Sequence, residues 1–361
     1  MKHWLGVALL SVFSLSSLGF SSQNSLASTL EAVRLKFGAP SLAATVVKNG
    51  AVLESAAVGE RAIGSKVAVQ LGDMYQLGSL SKSFTATLIA KLVEQKLLGW
   101  DTTLEEVFSD QKMLLAYRKV TIQEILFHVA GFAANVEDSA VYSWELEPQK
   151  ARAMYLEKAL NQTPEARQMV AYSNIGFVVA SLAAEKVTGK KWENLIREYI
   201  FAPLELKNCA FGTRFPVLTQ PHGHQQVGKT VMAVSPELPN GNSNVLFGAD
   251  GIRCSLPDLG KYLLAHLNGE NGTSGIVSSQ SFKYLHQPRA NAGQGIYAAL
   301  GWFIFPDGAI WHNGSNTLNF AEMIIFPKAN LAIGIATNSP IDLGAAVTEA
   351  AMAAIINWLP R

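Results

Sequence analysis

The sequence predicts an α/β fold of the α+β kind, in which both chain ends build one antiparallel sheet with helices packed on it. β-rich runs flank Asn49-Gly50 and return after residue 300, whereas the pattern between about 100 and 290 is mostly helical. We therefore expect a sheet domain of residues 28–78 plus 295–361 and an inserted, mostly helical domain of residues 79–294, with any functional site between the two.

The N-terminal 27 residues predict a secretory signal peptide. A basic start, MKHW, precedes a short apolar run and a small-residue pattern that ends at Ala27. The apolar run is shorter than the roughly 20 residues that a bilayer span needs. We expect a bacterial protein that is secreted or periplasmic and keeps no stable membrane span after cleavage; an uncleaved anchor is the alternative.

The first folded elements are a helix from Ser28 to Phe37 and a β-hairpin. SLAATVVK and AVLESAAVG flank Asn49-Gly50, and this dipeptide favours the positive φ angles of a tight hairpin turn. A long helix is predicted next, roughly from Ser79 to Leu98. It is apolar on most faces, so we expect it to be buried on all sides.

Helices and one irregular stretch make up the middle of the chain. VTIQEILFHVAGF predicts a helix ended by Gly131, SNIGFVVASLAAEKVTG one ended by Gly189, and KKWENLIREYIFAPL one ended by Pro203. Between about 213 and 248 the periodicity fades, and proline, glycine and asparagine cluster. Long irregular segments in compact proteins are often binding loops.

The C-terminal part returns to strands. GWFIF and AIWHNG predict a hairpin around Pro306-Asp307-Gly308, and FAEMIIF and LAIGIATN predict a second one around residues 327–330. An alanine-rich helix over 341–358 closes the chain. These strands are predicted to complete the sheet that the N-terminal hairpin begins.

Charge and cysteine content exclude several classes of partner. Net charge is +1 and charged residues make up 16% of the chain, without a basic stripe, so we expect no nucleic-acid partner. Cys209 and Cys254 could pair in an exported protein, but we favour two buried free thiols. The histidines are scattered, so no metal and no cofactor are expected. His222 and His224 are interpreted as surface or site-lining residues.

A serine and a lysine open the long apolar helix, and Ser79 lies one turn before Lys82. A serine hydroxyl is a weak nucleophile until a base takes its proton. Lysine can act as that base where burial lowers its pKa from about 10.4. Ser81 and Ser83 are weaker candidates, because neither follows a turn glycine as Ser79 follows Gly78. An isolated Ser-x-x-Lys is more often a solvated pair on a helix.

Two further motifs carry candidate polar groups. In AYSNIGF, Tyr172 and Asn174 can face the same way; the tyrosine could shuttle protons if a cation holds it near its anionic form. In WHNGSN, His312 could bind a carboxylate or assist proton transfer, Gly314 permits close backbone approach, and the Ser315 amide could donate. Taken alone, the first motif is better explained as a helix N-cap and the second as a half-buried strand histidine.

The three motifs occur in one order, and the combination is far more specific than any single motif. On these motifs the chain resembles the serine β-lactamase and penicillin-binding protein superfamily, specifically its class C-like branch. The segments LGSLSKSFTATLIAKLVEQ, VTIQEILFHVAGF and GADGIRCSLPDLGKYLLAHLNG are similar to family segments and occur in the family order. The resemblance covers most of the mature chain.

The resemblance implies roles for the motif residues. Ser79 would be the acylated nucleophile, Lys82 its proton acceptor and Tyr172 the proton shuttle. Asn174 would orient Lys82 and the substrate amide. His128 lies in a family segment, and we interpret it as structural.

The third motif departs from the family pattern. His312 stands where many class C enzymes have lysine, and Asn313 replaces the usual hydroxyl residue. Both changes weaken the case for efficient β-lactam turnover. The resemblance also implies that the backbone N–H groups of Ser79 and Ser315 form the oxyanion hole.

The sequence as a whole predicts an exported serine hydrolase of the β-lactamase or D-Ala-D-Ala carboxypeptidase type, acting as a monomer. Acyl transfer would pass through Ser79 on an amide, lactam or ester of a small molecule or peptidoglycan-derived peptide. A β-lactamase-like carboxylesterase and a catalytically silent penicillin-binding module are the alternatives. An α/β-hydrolase is disfavoured, because the chain contains no Gly-x-Ser-x-Gly.

Overall fold

The computed structural model describes residues 25–216, 218–235 and 241–360. The predicted leader therefore lies outside the described residues except for its last three. Ser25 caps the first helix by accepting a hydrogen bond from the backbone N–H of Ser28, and Leu26 is fully buried. These last residues of the predicted leader belong to the folded domain.

Eleven helices and thirteen strands are formed by the described residues. The helices are α1 Leu26–Phe37, α2 Ser81–Glu94, α3 Leu104–Val107, α4 Leu115–Arg118, α5 Ile122–Leu126, α6 Pro148–Asn161, α7 Asn174–Thr188, α8 Trp192–Ile196, α9 Leu256–Glu270, α10 Ser279–Leu285 and α11 Ile341–Trp358. The strands are β1 Ser41–Lys48, β2 Ala51–Gly59, β3 Tyr75–Gln76, β4 Cys209–Phe211, β5 His224–Val227, β6 Thr230–Ala233, β7 Ile252–Cys254, β8 Ala290–Gly293, β9 Ile296–Ala298, β10 Phe303–Ile304, β11 Ile310–Ser315, β12 Phe320–Phe326 and β13 Leu331–Thr337.

An antiparallel sheet of eight strands is built from both ends of the chain, in the order β2-β1-β13-β12-β11-β10-β9-β8. β1 and β13 join the two ends, with Ala43 opposite Ala336. Asn49 and Gly50 form the β1–β2 turn with φ of 51° and 81°, as their side-chain types predict. The fold class predicted from the sequence is confirmed, together with the three hairpins.

Helices cover both faces of this sheet. On one face α1 and α11 share a core with the sheet that includes Leu30, Ile333 and Ile355. On the other face α9 packs so closely that a Cβ on Gly334 would lie 3.0 Å from the Leu259 side chain. One layer of the sheet domain thus comes from the stretch 79–294 that we assigned to the helical domain. α11 is long and apolar enough to cross a bilayer by length and composition alone, but its inner stripe packs in this core.

Helix α2 forms the centre of the helical part. Every residue from Ser81 to Ala90 is buried, so the prediction of a helix buried on all sides is confirmed. Two other helices differ in length from the prediction. α5 ends at Leu126 rather than near Gly131, because His128 takes a φ of 64° that a helix cannot contain. After α8 the chain continues as a π-helical turn, Arg197–Phe201.

Cys209 and Cys254 form a disulfide, so our expectation of two free thiols is wrong. The residues are 45 apart in sequence, yet they are direct cross-strand partners of β4 and β7. The bond fastens a three-stranded sheet, β3-β7-β4, whose first strand leads into the turn that carries Ser79. This register depends on tertiary packing and has no local sequence signal.

Candidate active site

A 3-10 turn, Gly78–Leu80, presents Ser79 at the start of α2. Two glycines let this turn pack backbone to backbone against β11. A Cβ on Gly78, where φ is 56°, would lie 2.5 Å from the Ser315 nitrogen, and one on Gly314 would lie 2.6 Å from the Ser79 nitrogen. The main-chain amides that the resemblance assigns to an oxyanion hole are therefore brought side by side.

Lys82 is fully buried, and its ammonium contacts neutral oxygens. Nζ donates to Ser79 Oγ at 3.0 Å, to Asn174 Oδ1 at 2.7 Å and to the Ala249 carbonyl at 3.0 Å. Burial lowers the pKa of Lys82 to about 7, although the carboxylate of Asp250 opposes the shift. A lysine of this pKa exists partly as the free amine near neutral pH and can accept the serine proton.

Asn174 is the first residue of α7, and its amide is fixed from two sides. Its Oδ1 accepts from Lys82, while its Nδ2 donates to Asn135 Oδ1 at 2.9 Å. The N-cap is the neighbouring Ser173, whose Oγ accepts from the Gly176 N–H at 3.1 Å. The cap and the site residue are therefore adjacent, and Asn174 is free to orient Lys82.

Tyr172 reaches the nucleophile as a neutral phenol. Its hydroxyl is buried close to the Ser79 side chain, and burial raises the pKa of Tyr172 above its ordinary value. The raised pKa keeps the phenol protonated, although Lys82 Nζ lies over the ring, 4.8 Å from its centroid. Tyr172 is thus placed to donate a proton rather than to act as an anionic base.

His312 lies on β11, 1% exposed, and is a neutral imidazole. Burial and the nearby charge of Lys82 lower the pKa of His312 to about 3. Nδ1 lies 2.5 Å from the carbonyl of Asn313, so Nδ1 carries the ring proton and Nε2 keeps a lone pair. This state has neither the charge nor the Nε2–H that our expectation of a carboxylate-binding His312 requires.

The other pair of candidate histidines, His222 and His224, is buried. His224 accepts from the Ile63 N–H at 3.0 Å through Nε2, and its Nδ1 lies 2.6 Å from the Asn338 carbonyl. The backbone N–H of His222 donates to the Arg61 carbonyl. Both imidazoles are at most 4% exposed, so the expected surface position is wrong, and they join the long loop to the sheet domain.

Two site residues were missed in the sequence. Asp250 is a buried carboxylate that accepts from Asn242 Nδ2 at 2.5 Å and from the Gly251 N–H, and burial raises its pKa. Asn135 holds the amide of Asn174. The segment GADG contains Asp250, but a single acidic residue in a loop gives no signal of burial. Within the described ranges, no group of three His, Cys, Asp or Glu side chains is placed to hold a metal ion.

The chain belongs to the β-lactamase family, since the profile of that family matches residues 27–356. It is also 23% identical over 323 residues to "Protein flp" of Staphylococcus aureus (strain MW2), a match that covers 88% of this chain and 63% of that protein. The chain thus spans less than two thirds of the length of this relative.

Solved structures share the fold. A penicillin-binding protein from Bacillus halodurans superposes with a TM-score of 0.74 at 19% identity, covering 91% of this chain and 99% of that one. The octameric penicillin-binding protein homologue from Pyrococcus abyssi gives 0.72 at 22% identity, covering 92% and 77%. Fold and family are therefore of the β-lactamase and penicillin-binding kind, with a site of the serine-hydrolase type. The class C-like branch stays a prediction.

Proposed function

We propose that this protein is a serine hydrolase that transfers acyl groups through an ester on Ser79 Oγ. The observation that carries the proposal is the 3.0 Å contact between Ser79 Oγ and Lys82 Nζ, inside a core where burial lowers the pKa of that lysine to about 7. A buried cation beside a hydroxyl has a cost that packing does not explain, whereas a neutral amine beside it activates the hydroxyl.

Acylation would follow from the positions of four groups. Ser79 Oγ attacks the substrate carbonyl while Lys82 Nζ takes the hydroxyl proton, and the amides of Ser79 and Ser315 stabilise the resulting oxyanion. The tetrahedral intermediate collapses as the bond to the leaving group breaks. Tyr172 donates its proton to the leaving nitrogen or oxygen, and Lys82 then returns a proton to the Tyr172 oxygen.

Deacylation would use the same groups with water as the nucleophile. Water attacks the ester carbon and gives a proton to the neutral amine of Lys82. The tetrahedral intermediate then collapses, and Ser79 Oγ leaves and takes a proton back from Lys82 Nζ. From the sequence we further propose that the protein is exported through the leader, acts as a monomer, and takes a small molecule or a peptidoglycan-derived peptide as its substrate.

A carboxylesterase is the second candidate, and His312 favours it. Lactam and D-aminoacyl substrates carry a carboxylate, which a neutral imidazole with an Nε2 lone pair does not attract. A simple ester has no carboxylate, so a neutral His312 in place of a lysine on β11 would not weaken its binding. His312 therefore supports a simple ester as the substrate over a lactam or a D-aminoacyl peptide.

Intact-mass spectrometry tests the proposal directly. The chain from Ser25 onward is mixed with a penicillin and, separately, with a p-nitrophenyl ester, and Ser79→Ala is the matched control. We expect an acyl adduct or ester turnover that drops at least about 10³-fold in Ser79→Ala. A lasting penicillin adduct would indicate a penicillin-binding peptidase, and ester turnover without an adduct an esterase. Equal activity in both proteins would refute the proposal, and no activity in either would support a silent module.

A further inference from the structure

The segment that carries Tyr172 and Asn174 has no regular structure before α7, so its position depends on the loop that follows α5. Besides the side-chain contact of Asn174 with Asn135, four hydrogen bonds within the described residues join residues 171–174 to residues 128–134. They are Ala171 N–H to His128 O at 2.9 Å, Ser173 N–H to His128 Nδ1 at 3.1 Å, Ser173 Oγ to Ala133 O at 2.7 Å, and Asn174 N–H to Ala134 O at 2.9 Å. Three of the acceptors are carbonyls that any residue supplies, and the fourth is the side chain of His128.

The backbone of His128 is turned to make this contact. Its φ is 64°, a region that non-glycine residues seldom adopt and that histidine and asparagine tolerate better than most. The carbonyl of His128 and its ring nitrogen both face the Tyr172 segment as a result. The left-handed turn that ends α5 early therefore has a consequence at the active site.

The ring of His128 also supports Tyr172 from behind. The two rings stack with centroids 4.6 Å apart and planes 30° apart. The Phe177 ring also contacts His128, with the two ring centroids 5.2 Å apart. His128 is 3% exposed. Its Nδ1 accepts a hydrogen bond from the Ser173 N–H, so the neutral ring carries its own proton on Nε2, which is buried and has no hydrogen-bond partner in the described part of the chain.

That unpartnered Nε2–H makes a purely structural role a poor explanation. An apolar ring would fill the same space without burying an unsatisfied donor. The imidazole contributes one thing that a phenyl ring does not, the Nδ1 acceptor for the amide between Tyr172 and Asn174. The energetic cost of burying the His128 Nε2–H is explained if the position of the Ser173 amide matters for the reaction.

We propose that His128 is a positioning residue for acyl transfer. Its Nδ1 and its ring face set the Tyr172 hydroxyl and the Asn174 amide against Ser79 and Lys82. The inference rests on the proposed function, because a positioned phenol and amide have a kinetic consequence only if Ser79 is acylated. It replaces our interpretation of His128 as simply structural.

Two variants separate the acceptor from the ring. His128→Asn tolerates the positive φ and offers Oδ1 in place of Nδ1, whereas His128→Phe keeps the ring face and loses the acceptor. His222→Asn, at a buried histidine whose ring contacts Phe215 rather than Tyr172, is the matched control. We expect the acylation rate constant to fall about 100-fold in His128→Phe and less than about tenfold in His128→Asn, with little change in substrate affinity. The control should stay within about twofold.

A double-mutant cycle with Tyr172→Phe distinguishes positioning from loss of stability. If His128 acts through the phenol, the effect of His128→Phe shrinks several-fold once that phenol is absent. Simple multiplication of the two effects would overturn the proposal, and so would a His128→Phe protein that acylates at the parent rate. Should His128→Phe fail to fold, a His128→Asn protein slowed as severely as His128→Ala would overturn it.

Hydrogen exchange of residues 171–174 supplies a readout that does not depend on activity. Exchange should be at least about tenfold faster in His128→Phe and close to the parent rate in His128→Asn. Unchanged exchange of these amides in His128→Phe would overturn the positioning role of His128, even if the enzyme is active. A parent protein that protects this segment but shows no Ser79-dependent acylation would instead refute the proposed function.

Discussion

Helix α2 takes part in two buried polar networks. In one, a lysine is hydrogen-bonded only to neutral groups, and in the other, the charged group is paired with a partner. One is the site around Ser79 and Lys82. The other starts at Ser83 and Thr87 on the same helix and ends at a carboxylate near the surface. Its contacts are Ser83 Oγ to Leu80 O at 2.8 Å, Tyr262 OH to Ser83 Oγ at 3.1 Å and to Thr87 Oγ1 at 3.1 Å, Thr87 to His266 Nε2 at 3.3 Å, His266 Nδ1 to His286 Nε2 at 2.9 Å, and His286 Nδ1 to Glu270 at 2.7 Å.

Proton positions in the second network are determined by its contacts. Thr87 Oγ1 donates to the Ser83 carbonyl at 2.9 Å, so His266 Nε2 must donate to Thr87. His266 Nδ1 then accepts from His286 Nε2, and His286 Nδ1 lies 2.7 Å from the Glu270 carboxylate. Every donor has an acceptor, and the only charge is paired, so this chain is a structural link.

The site differs because its cation faces neutral acceptors only. Lys82 donates to a hydroxyl, an amide and a carbonyl, and the hydrogen bonds of Asp250 go to Asn242 and Gly251. Burial without a directly bonded carboxylate lowers the pKa of Lys82 to about 7. In the network from Ser83 and Thr87 to Glu270, the buried polar groups are paired and stabilise the fold. At the Ser79 site, the buried lysine has only neutral partners and becomes a reactive amine.

Replacing Lys82, the proton acceptor, should have the largest effect on acylation and should separate the two networks most clearly. Lys82→Arg keeps a cation and hydrogen-bond donors, but a guanidinium does not release its proton near neutral pH. We expect the acylation rate constant to fall about 10³-fold, within the range for a lost general base, as measured by intact-mass spectrometry. A loss below about tenfold would show that Lys82 is not the acceptor.

Changing the end of the second network should affect stability rather than chemistry. In Glu270→Gln the buried His286 loses the carboxylate that its Nδ1 contacts. We expect urea unfolding to report a loss of about 1–3 kcal/mol, while acylation stays within about threefold of the parent rate. An acylation defect as large as that of Lys82→Arg would mean that the two networks act as one.

Local signals in the sequence were enough for much of the fold. Asn49-Gly50 marks a tight turn by side-chain type, and the alanine-rich stretch 341–358 is a helix over the predicted range. Ser79 and Lys82 are one helical turn apart, so their contact follows from spacing alone. Such features depend on residues that are near neighbours in the chain.

Features that depend on distant contacts could not be predicted. The Cys209–Cys254 disulfide needs the register of β4 and β7, and the burial of Asp250 needs a folded loop. The tautomer of His312 follows from one carbonyl contact on β11, and the contact of His128 Nδ1 with the Ser173 amide follows from a positive φ. Each is a property of tertiary structure.

The pH dependence of Ser79 acylation tests the central claim most directly, that a desolvated lysine activates the serine. Neutral Lys82 accepts the proton, and the pKa of Lys82 is lowered to about 7, so the rate should rise with pH through a midpoint near 7. Glu270→Gln should keep this midpoint, and Lys82→Arg should lose the rise. A parent rate that is flat from about pH 5.5 to about pH 8.5, or that falls across this range, would contradict the account.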